Sequence, residues 1–194
     1  MVSSFCHEII RRQPSGPYHL GGWSAGGAFA FAVASHLIQT GAEVYSLIII
    51  DSPVPRKLGT LPSGFYEYCG RRGLFGGDVP PASLIPHFLR TMETMLPYQA
   101  VPLQAARVPN VGIIWACETV MDADDAPDLG LKMGRDHFML KRRQEFGPDG
   151  WEKLLPGAEF TLAKVVGADH FTMMVSCPAL SFSKKGNGVL TDYR

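Results

Sequence analysis

The segment GGWSAGG, residues 21–27, decides how the rest of this 194-residue chain is interpreted. It closes a short apolar stretch, Tyr18–Trp23, and opens an alanine-rich stretch that begins at Ala25. Four glycines around one serine are costly in backbone entropy, so this backbone must need residues without bulk. The apolar residues after Ala25 recur at helical spacing up to Gly41, which predicts a helix with a glycine cap.

Ser24 lies in the pattern Gly-x-Ser-x-Gly between a predicted strand and a predicted helix. This arrangement is typical of a nucleophile elbow, in which a strained turn holds the serine hydroxyl above a sheet. The positive end of the helix would face that hydroxyl, and the amide of Ala25 would donate to an oxyanion. The same residues also suit a tight turn that packs a helix on a strand. A catalytic interpretation therefore needs a base and an acid elsewhere in the chain.

Further apolar stretches predict the fold class. Val44–Ile50 is almost continuously apolar, and residues 111–117 and 160–166 form two more strand-like runs. Strands without alternation are usually buried on both faces, as in a parallel sheet covered by helices. Strands separated by helical segments predict an α/β fold with a mainly parallel sheet and right-handed crossovers.

About sixty residues separate Asp51 from the next strand, which is too long for an ordinary connection. This insertion, at about 56–108, starts rich in proline and glycine and then predicts an amphipathic helix. One side of that helix carries Leu84, Ile85, Phe88, Leu89, Met92 and Met95. The insertion is interpreted as a packed subdomain, as a lid over a site, or as both. We expect one domain over residues 1–180, followed by a disordered polar tail over 181–194.

Among the six histidines, His170 is the predicted base. It follows the last predicted strand, and parallel sheets place their sites at the carboxyl ends of strands. His36 is predicted to be a core residue of the first long helix. His7 and His137 are predicted to lie in helices.

Two acids could orient that base. Asp51 ends the strand that follows the elbow helix, whereas a cluster of four aspartates follows the third strand: Asp122, Asp124, Asp125 and Asp128. The chain order of serine, aspartate and histidine is compatible with both. The residues by themselves leave this choice open.

Composition excludes several classes of partner. The 18 basic and 18 acidic residues cancel, so no net field attracts nucleic acid or an anionic membrane. The basic run Lys141, Arg142 and Arg143 is predicted to lie on the solvated face of a helix. The four cysteines form no CxxC pair, which predicts reduced thiols. The chain has no signal-peptide core and no apolar span of about 18 residues, so we expect a cytoplasmic protein.

Four stretches together resemble a known family: GPYHLGGWSAGG, LIIIDSP, PHFL and GADHFTMM. From about Ile9 to Met174 the chain is similar to the thioesterase domain, of the Claisen-cyclase type, at the end of fungal non-reducing polyketide synthases. The resemblance implies a partial α/β-hydrolase fold with a lid insertion. It also implies Ser24 as nucleophile, His170 as base and Asp51 as the residue that orients the base.

The resemblance further implies the substrate, a polyketide thioester of secondary metabolism, delivered by an acyl carrier protein on a phosphopantetheine arm. It implies no metal and no bound cofactor, and it places Phe88 and Met92 of the lid in the substrate chamber. Members of the family have more strands before the elbow and a loop that supplies a second oxyanion amide, so we expect a truncated member. The alternatives are a free-standing esterase or lipase, and a catalytically silent fragment that only contacts other proteins.

Overall fold

The computed structural model describes residues 1–55, 61–76, 82–104, 106–129, 137–175, 180–186 and 189–193. Its helices are α1 (Val2–Arg12), α2 (Ala25–Gln39), α3 (Ser63–Arg71), α4 (Leu84–Met95) and α5 (Trp151–Leu154). Its strands are β1 (Tyr18–Trp23), β2 (Val44–Ile50), β3 (Asn110–Ala116), β4 (Glu159–Val165), β5 (Leu180–Gly186) and β6 (Val189–Tyr193). No helix in these ranges is long and apolar enough to cross a membrane.

The described strands form one sheet in the order β1-β2-β3-β4-β5-β6. The first four strands are parallel, and β5 and β6 join them antiparallel. Trp23 at the end of β1 pairs with Ile50 at the end of β2, so Ser24 and Asp51 leave the sheet side by side. The predicted α/β fold with a mainly parallel sheet is confirmed, and the carboxyl ends of its parallel strands share one edge.

Strand β2 differs from its prediction because its two faces are not equally covered. Leu47 and Ile49 are completely buried, whereas Ile48 between them is 37% exposed. Alternate residues of a strand face opposite sides of the sheet, and only the Leu47 side shares a core with helix α2. An unbroken apolar run therefore does not by itself establish burial on both faces.

The main core lies between the sheet and helices α1, α2 and α5. Phe31, Leu47 and Trp115 are fully buried there, and burying one such side chain stabilises the fold by about 1.5–3 kcal/mol. Trp151 of α5 donates its indole N–H to the carbonyl of Ser52 at 3.0 Å. This bond ties α5 to the segment that follows Asp51 and so supports the site edge of the sheet.

The insertion after β2 forms a second apolar cluster with residues from the site edge of the sheet. Helix α4 occupies the predicted position, although none of its residues is fully buried. Helix α3 was not expected, because Gly64 and Gly70 lower its helix propensity; its buried Phe65, Tyr68 and Cys69 stabilise it through packing instead. Residues 56–60, 77–81 and 105 of the predicted insertion lie outside the described residues.

Two sequence predictions are corrected by the backbone. The tail predicted to be disordered over 181–194 instead contains β6 and nearly all of β5. Strand pairing satisfies backbone hydrogen bonds whatever the side-chain polarity, so a polar segment can still extend the sheet beyond β4. The basic run at 141–143 lies outside any helix. There, Arg143 stacks on Trp115 at 3.8 Å and pairs with Asp149, while Arg142 pairs with Glu118.

Cysteines at the three described positions are free, as predicted: Cys6, Cys69 and Cys117. Cys177 lies outside the described residues.

Candidate active site

Ser24 occupies a strained turn between β1 and α2. Its φ of 57° and ψ of −129° are unusual for a residue with a side chain, and such a conformation costs roughly 1–3 kcal/mol. Two backbone hydrogen bonds hold it: the amide of Ser24 donates to Ile50 at 2.9 Å, and the amide of Gly27 donates to Ser24 at 3.0 Å. Helix α2 begins at Ala25, so the first amides of the helix lie beside the serine.

The glycines around Ser24 are not equivalent. A Cβ at Gly22 would overlap the carbonyl of Gly26, and a Cβ at Gly27 would lie 2.5 Å from the hydroxyl of Ser52. A Cβ at Gly26 would have no heavy atom within 4 Å. The sequence pattern attributes the need for space to both flanking glycines of Gly-x-Ser-x-Gly. Close packing in fact requires Gly22 and Gly27, because helix α2 starts almost in contact with β1 and with the end of β2.

Asp51 and His170 form a buried pair at the same edge. Nδ1 of His170 lies 2.7 Å from Oδ2 of Asp51, and each residue is only 5% exposed. The second carboxylate oxygen, Oδ1, accepts the amide of Ala116 at 3.2 Å. Asp51 has a φ of 40°, which is a left-handed backbone conformation. A carboxylate fixed in this way stabilises one imidazole tautomer, the one with its proton on Nδ1.

The rival aspartates after β3 have other contacts. Asp122 accepts the amide of Thr119 in a capping box. Asp125 pairs with Arg72 at 3.0 Å, and Arg72 in turn contacts the hydroxyl of Tyr68, so this carboxylate links the end of helix α3 to the segment that follows β3. The structure thus brings Asp51, and neither of these aspartates, to His170.

A cavity of about 360 Å³ opens in front of Ser24 and His170. Ala25 and two lid residues named from the sequence, Phe88 and Met92, line it. Most of the remaining wall is apolar or aromatic: Trp23, Phe29, Leu61, Phe65, Tyr66, Phe75, Met139 and Phe171. Such a chamber suits a large apolar ligand with a few polar groups near the reacting atoms.

Comparison with known proteins shows what the chain resembles. The family model of the Thioesterase domain matches residues 1–60. Over 90% of its length the chain is 56% identical to norsolorinic acid synthase stcA of Emericella nidulans, of which it covers 8%. It is 44% identical to non-reducing polyketide synthase pks27 of Aspergillus flavus, again over 90% of the chain and 9% of the relative. Residues 1–60 therefore resemble the Thioesterase domain, and nearly the whole chain is similar to part of fungal polyketide synthases.

The chain spans less than a tenth of the length of these curated relatives. Among solved structures, the NocB thioesterase domain in covalent complex with a fluorophosphonate nocardicin G analog matches it with a TM-score of 0.54 and 24% identity. The match covers 88% of this chain and 64% of that one, and at this identity it shows the fold alone. The resemblance drawn from four sequence stretches is confirmed.

The cavity contains residues that the sequence did not single out as site residues. His137 was predicted to lie in a helix, but it lies outside the described helices, is 7% exposed and lines the cavity. Its Nδ1 accepts the amide of Met139 at 3.3 Å. Phe75 packs against Phe88 of the lid and Phe171 beside the histidine, both at 5.5 Å. Only tertiary proximity brings these residues together, since no local pattern links them.

Two cysteines outside the Ser24 cavity are held in their neutral thiol forms. Burial raises the pKa of the Cys69 thiol to about 12, and the carboxylate of Asp169 adds to the shift. Burial also raises the pKa of the Cys117 thiol, although Lys164 and Arg142 oppose that shift. Because the thiolate is the reactive form, these two cysteines are poor competitors of Ser24.

Proposed function

We propose that this chain is a thioesterase. It takes a polyketide acyl chain from an acyl carrier protein onto Ser24 and then releases the chain from Ser24. The observation that carries the proposal is the 2.7 Å Asp51–His170 pair, which opens on the same apolar cavity as the strained serine. The polyketide substrate is inferred from relatives that are named as polyketide synthases. The acyl carrier protein and its phosphopantetheine arm are the delivery system that such a substrate needs.

The first half of the reaction forms an acyl-enzyme. Nε2 of His170 accepts the proton of Ser24 as the serine oxygen attacks the thioester carbonyl, and the carbonyl becomes an oxyanion. Asp51 holds Nδ1 of the imidazole and stabilises the imidazolium that forms. The C–S bond then breaks, and the departing phosphopantetheine thiol takes the proton back from Nε2.

The oxyanion needs donors that are already in place. The amide of Ala25 is the first amide of helix α2, and the positive end of the helix dipole adds to its field. Removing one donor from such a site slows turnover by roughly a hundred- to a thousandfold. The Ala25 amide is therefore assigned as one oxyanion donor.

The second half of the reaction transfers the acyl group from Ser24 to a nucleophile. Three nucleophiles are compatible with the site: water, a hydroxyl of the substrate, or a substrate carbanion in a Claisen-type ring closure. In each case His170 removes the proton of the nucleophile, the acyl carbon bonds to it, and the serine oxygen regains a proton. The apolar wall that includes Phe88 and Met92 disfavours water, so an internal nucleophile of the bound chain has the advantage.

The experiment compares an acyl chain on a carrier protein with the same acyl chain as a simple ester. We expect much higher kcat/KM for the carrier thioester. Ser24→Ala should lower turnover by about a millionfold, as loss of a triad nucleophile does. Ser35→Ala, on the same helix but outside the chamber, is the matched control. A preference for the free ester would indicate an esterase, and a wild-type chain that fails to react with a serine-directed phosphonate would indicate a silent fragment.

A further inference from the structure

Trp23 contacts His170 in two different ways. Its indole N–H donates to the backbone carbonyl of His170 at 3.1 Å. Its ring also stacks on the imidazole, with centroids 4.8 Å apart and an interplanar angle of 26°. One side chain therefore holds both the backbone and the ring of the histidine.

The stacking of Trp23 on His170 restricts a rotation of the imidazole that the hydrogen bond to Asp51 still allows. A hydrogen bond at Nδ1 sets the direction of one ring bond, but it allows the imidazole to turn about that bond. The flat indole against one face of the imidazole prevents this rotation. The ring of Phe138 also contacts the imidazole edge-on, with ring centroids 5.3 Å apart. The position of Nε2 is then determined by three contacts rather than by one.

The hydrogen bond from the Trp23 indole to the carbonyl of His170 fixes the position of the loop that carries this histidine. Asp169 braces this loop internally, since its Oδ1 accepts the amides of Phe171 and Thr172. Those bonds keep the loop's shape but do not link it to the elbow. Trp23 provides such a link, because it is the last residue of β1 and is covalently bonded to Ser24.

We infer that Trp23 is a positioning residue that holds Nε2 of His170 toward Ser24. The inference rests on the proposed function and adds to it the residue that couples nucleophile and base. The segment that sets the backbone of Ser24 also presents the indole against the imidazole, so the elbow and the base loop move as one unit. A misplacement of about 1 Å can cost roughly a hundredfold in rate, which is the size of effect at stake.

The test uses three variants of the full chain. Trp23→Phe keeps a ring face and loses the N–H, and Trp23→Leu loses both. Trp115→Phe is the matched control, because Trp115 also donates its indole N–H to a carbonyl, that of Gly147 at 2.9 Å, but lies outside the chamber. Each variant is reacted with a fluorophosphonate probe at a series of probe concentrations. The dependence of the labelling rate on concentration gives the maximal rate and the half-saturating concentration separately. The downfield proton resonance of His170 Nδ1–H, assigned by its loss in His170→Ala, is recorded in parallel.

We expect Trp23→Leu to lower the maximal rate by about a hundredfold and to broaden the Nδ1–H resonance through faster exchange with water. Trp23→Phe should lose only about fivefold, the effect of one neutral hydrogen bond, and keep the resonance. Trp115→Phe should match the wild type in both measurements. A wild-type rate and resonance in Trp23→Leu would overturn the inference. So would an unchanged rate in Trp23→Phe if Trp23→Leu does not fold.

The resonance keeps this test separate from the proposed function. If the wild type reacts with the probe but not with a carrier thioester, the proposed substrate is wrong and the role of Trp23 is still decided by the variants. If the wild type does not react with the probe, the proposed serine chemistry is wrong. The Nδ1–H resonance then decides by itself whether Trp23 orders the imidazole.

Discussion

His170 and Asp51 form a buried 2.7 Å hydrogen bond although 119 positions separate them in the chain. The parallel sheet makes this contact possible: β2 ends at Asp51, β4 ends near the histidine loop, and β3 between them donates the Ala116 amide to the same carboxylate.

Asp51→Asn should nearly abolish turnover while leaving the chain folded. The amide cannot stabilise the imidazolium and favours the wrong tautomer, which in a related constellation costs roughly ten-thousandfold. Turnover of a carrier thioester and the denaturant midpoint are measured together. Asp124→Asn, which changes an exposed aspartate of the rival cluster, is the control and should behave as the wild type. A collapse of activity in Asp124→Asn with near-normal Asp51→Asn would reverse the assignment of the acid.

Gly27→Ala should disturb the elbow, whereas Gly26→Ala should be tolerated by the fold. The new Cβ at position 27 would lie 2.5 Å from the hydroxyl of Ser52, and such overpacking costs about 1–3 kcal/mol. The new Cβ at position 26 meets nothing within 4 Å and raises helix propensity, so up to about 1 kcal/mol of added stability is expected. Urea unfolding of both variants checks the difference. Equal destabilisation would show that the two glycines have the same role.

Phe88→Ala should lower kcat/KM for the acyl substrate and increase the share of product that is released by water. Phe88 lines the cavity and packs on Tyr66 and Phe75. Loss of this ring removes apolar contact with the bound acyl chain, so we expect kcat/KM to fall by roughly tenfold or more. Product analysis gives the ratio of hydrolysed to cyclised acyl chain. Leu89→Ala, on the more exposed side of α4, is the control, and an unchanged ratio in Phe88→Ala would exclude Phe88 as a barrier to water.

Cys69 should make folding stability depend on alkaline pH. Burial raises the pKa of its thiol from an ordinary value of 9.0 to about 12 in the folded chain. Below pH 9 both states keep the proton, so the thiol adds no pH dependence there. Between about pH 9 and 12 the unfolded chain loses the proton first, and stability falls by about 1.4 kcal/mol per pH unit.

The measurement is the denaturant midpoint of the wild type and of Cys69→Ala across this range. We expect the variant to be less stable at neutral pH, because a buried side chain is truncated, and to lose stability less steeply as the pH rises. Parallel curves for the two proteins would contradict the raised pKa of the thiol.

Local sequence determined the elements that carry the site. The elbow, the helix after it and the strand ending at Asp51 each depend on contacts within a few residues, so periodicity and small residues predict them. The position of His170 followed as well, since a residue after a parallel strand lies at the site edge of the sheet. Predictions failed where local pattern was the only guide, as for the tail strands and for the helix proposed around Lys141.

Only the tertiary structure decided which residues meet. The contact of His170 with Asp51 rather than Asp125, the need for Gly27 rather than Gly26, the place of His137 in the cavity wall and the stacking of Trp23 on His170 all depend on distances between separate elements. Such distances are set by how helices and loops pack on the sheet, to within a fraction of an ångström. Patterns of residue type along the chain describe which face of an element is apolar, but side-chain packing between elements determines which atoms touch.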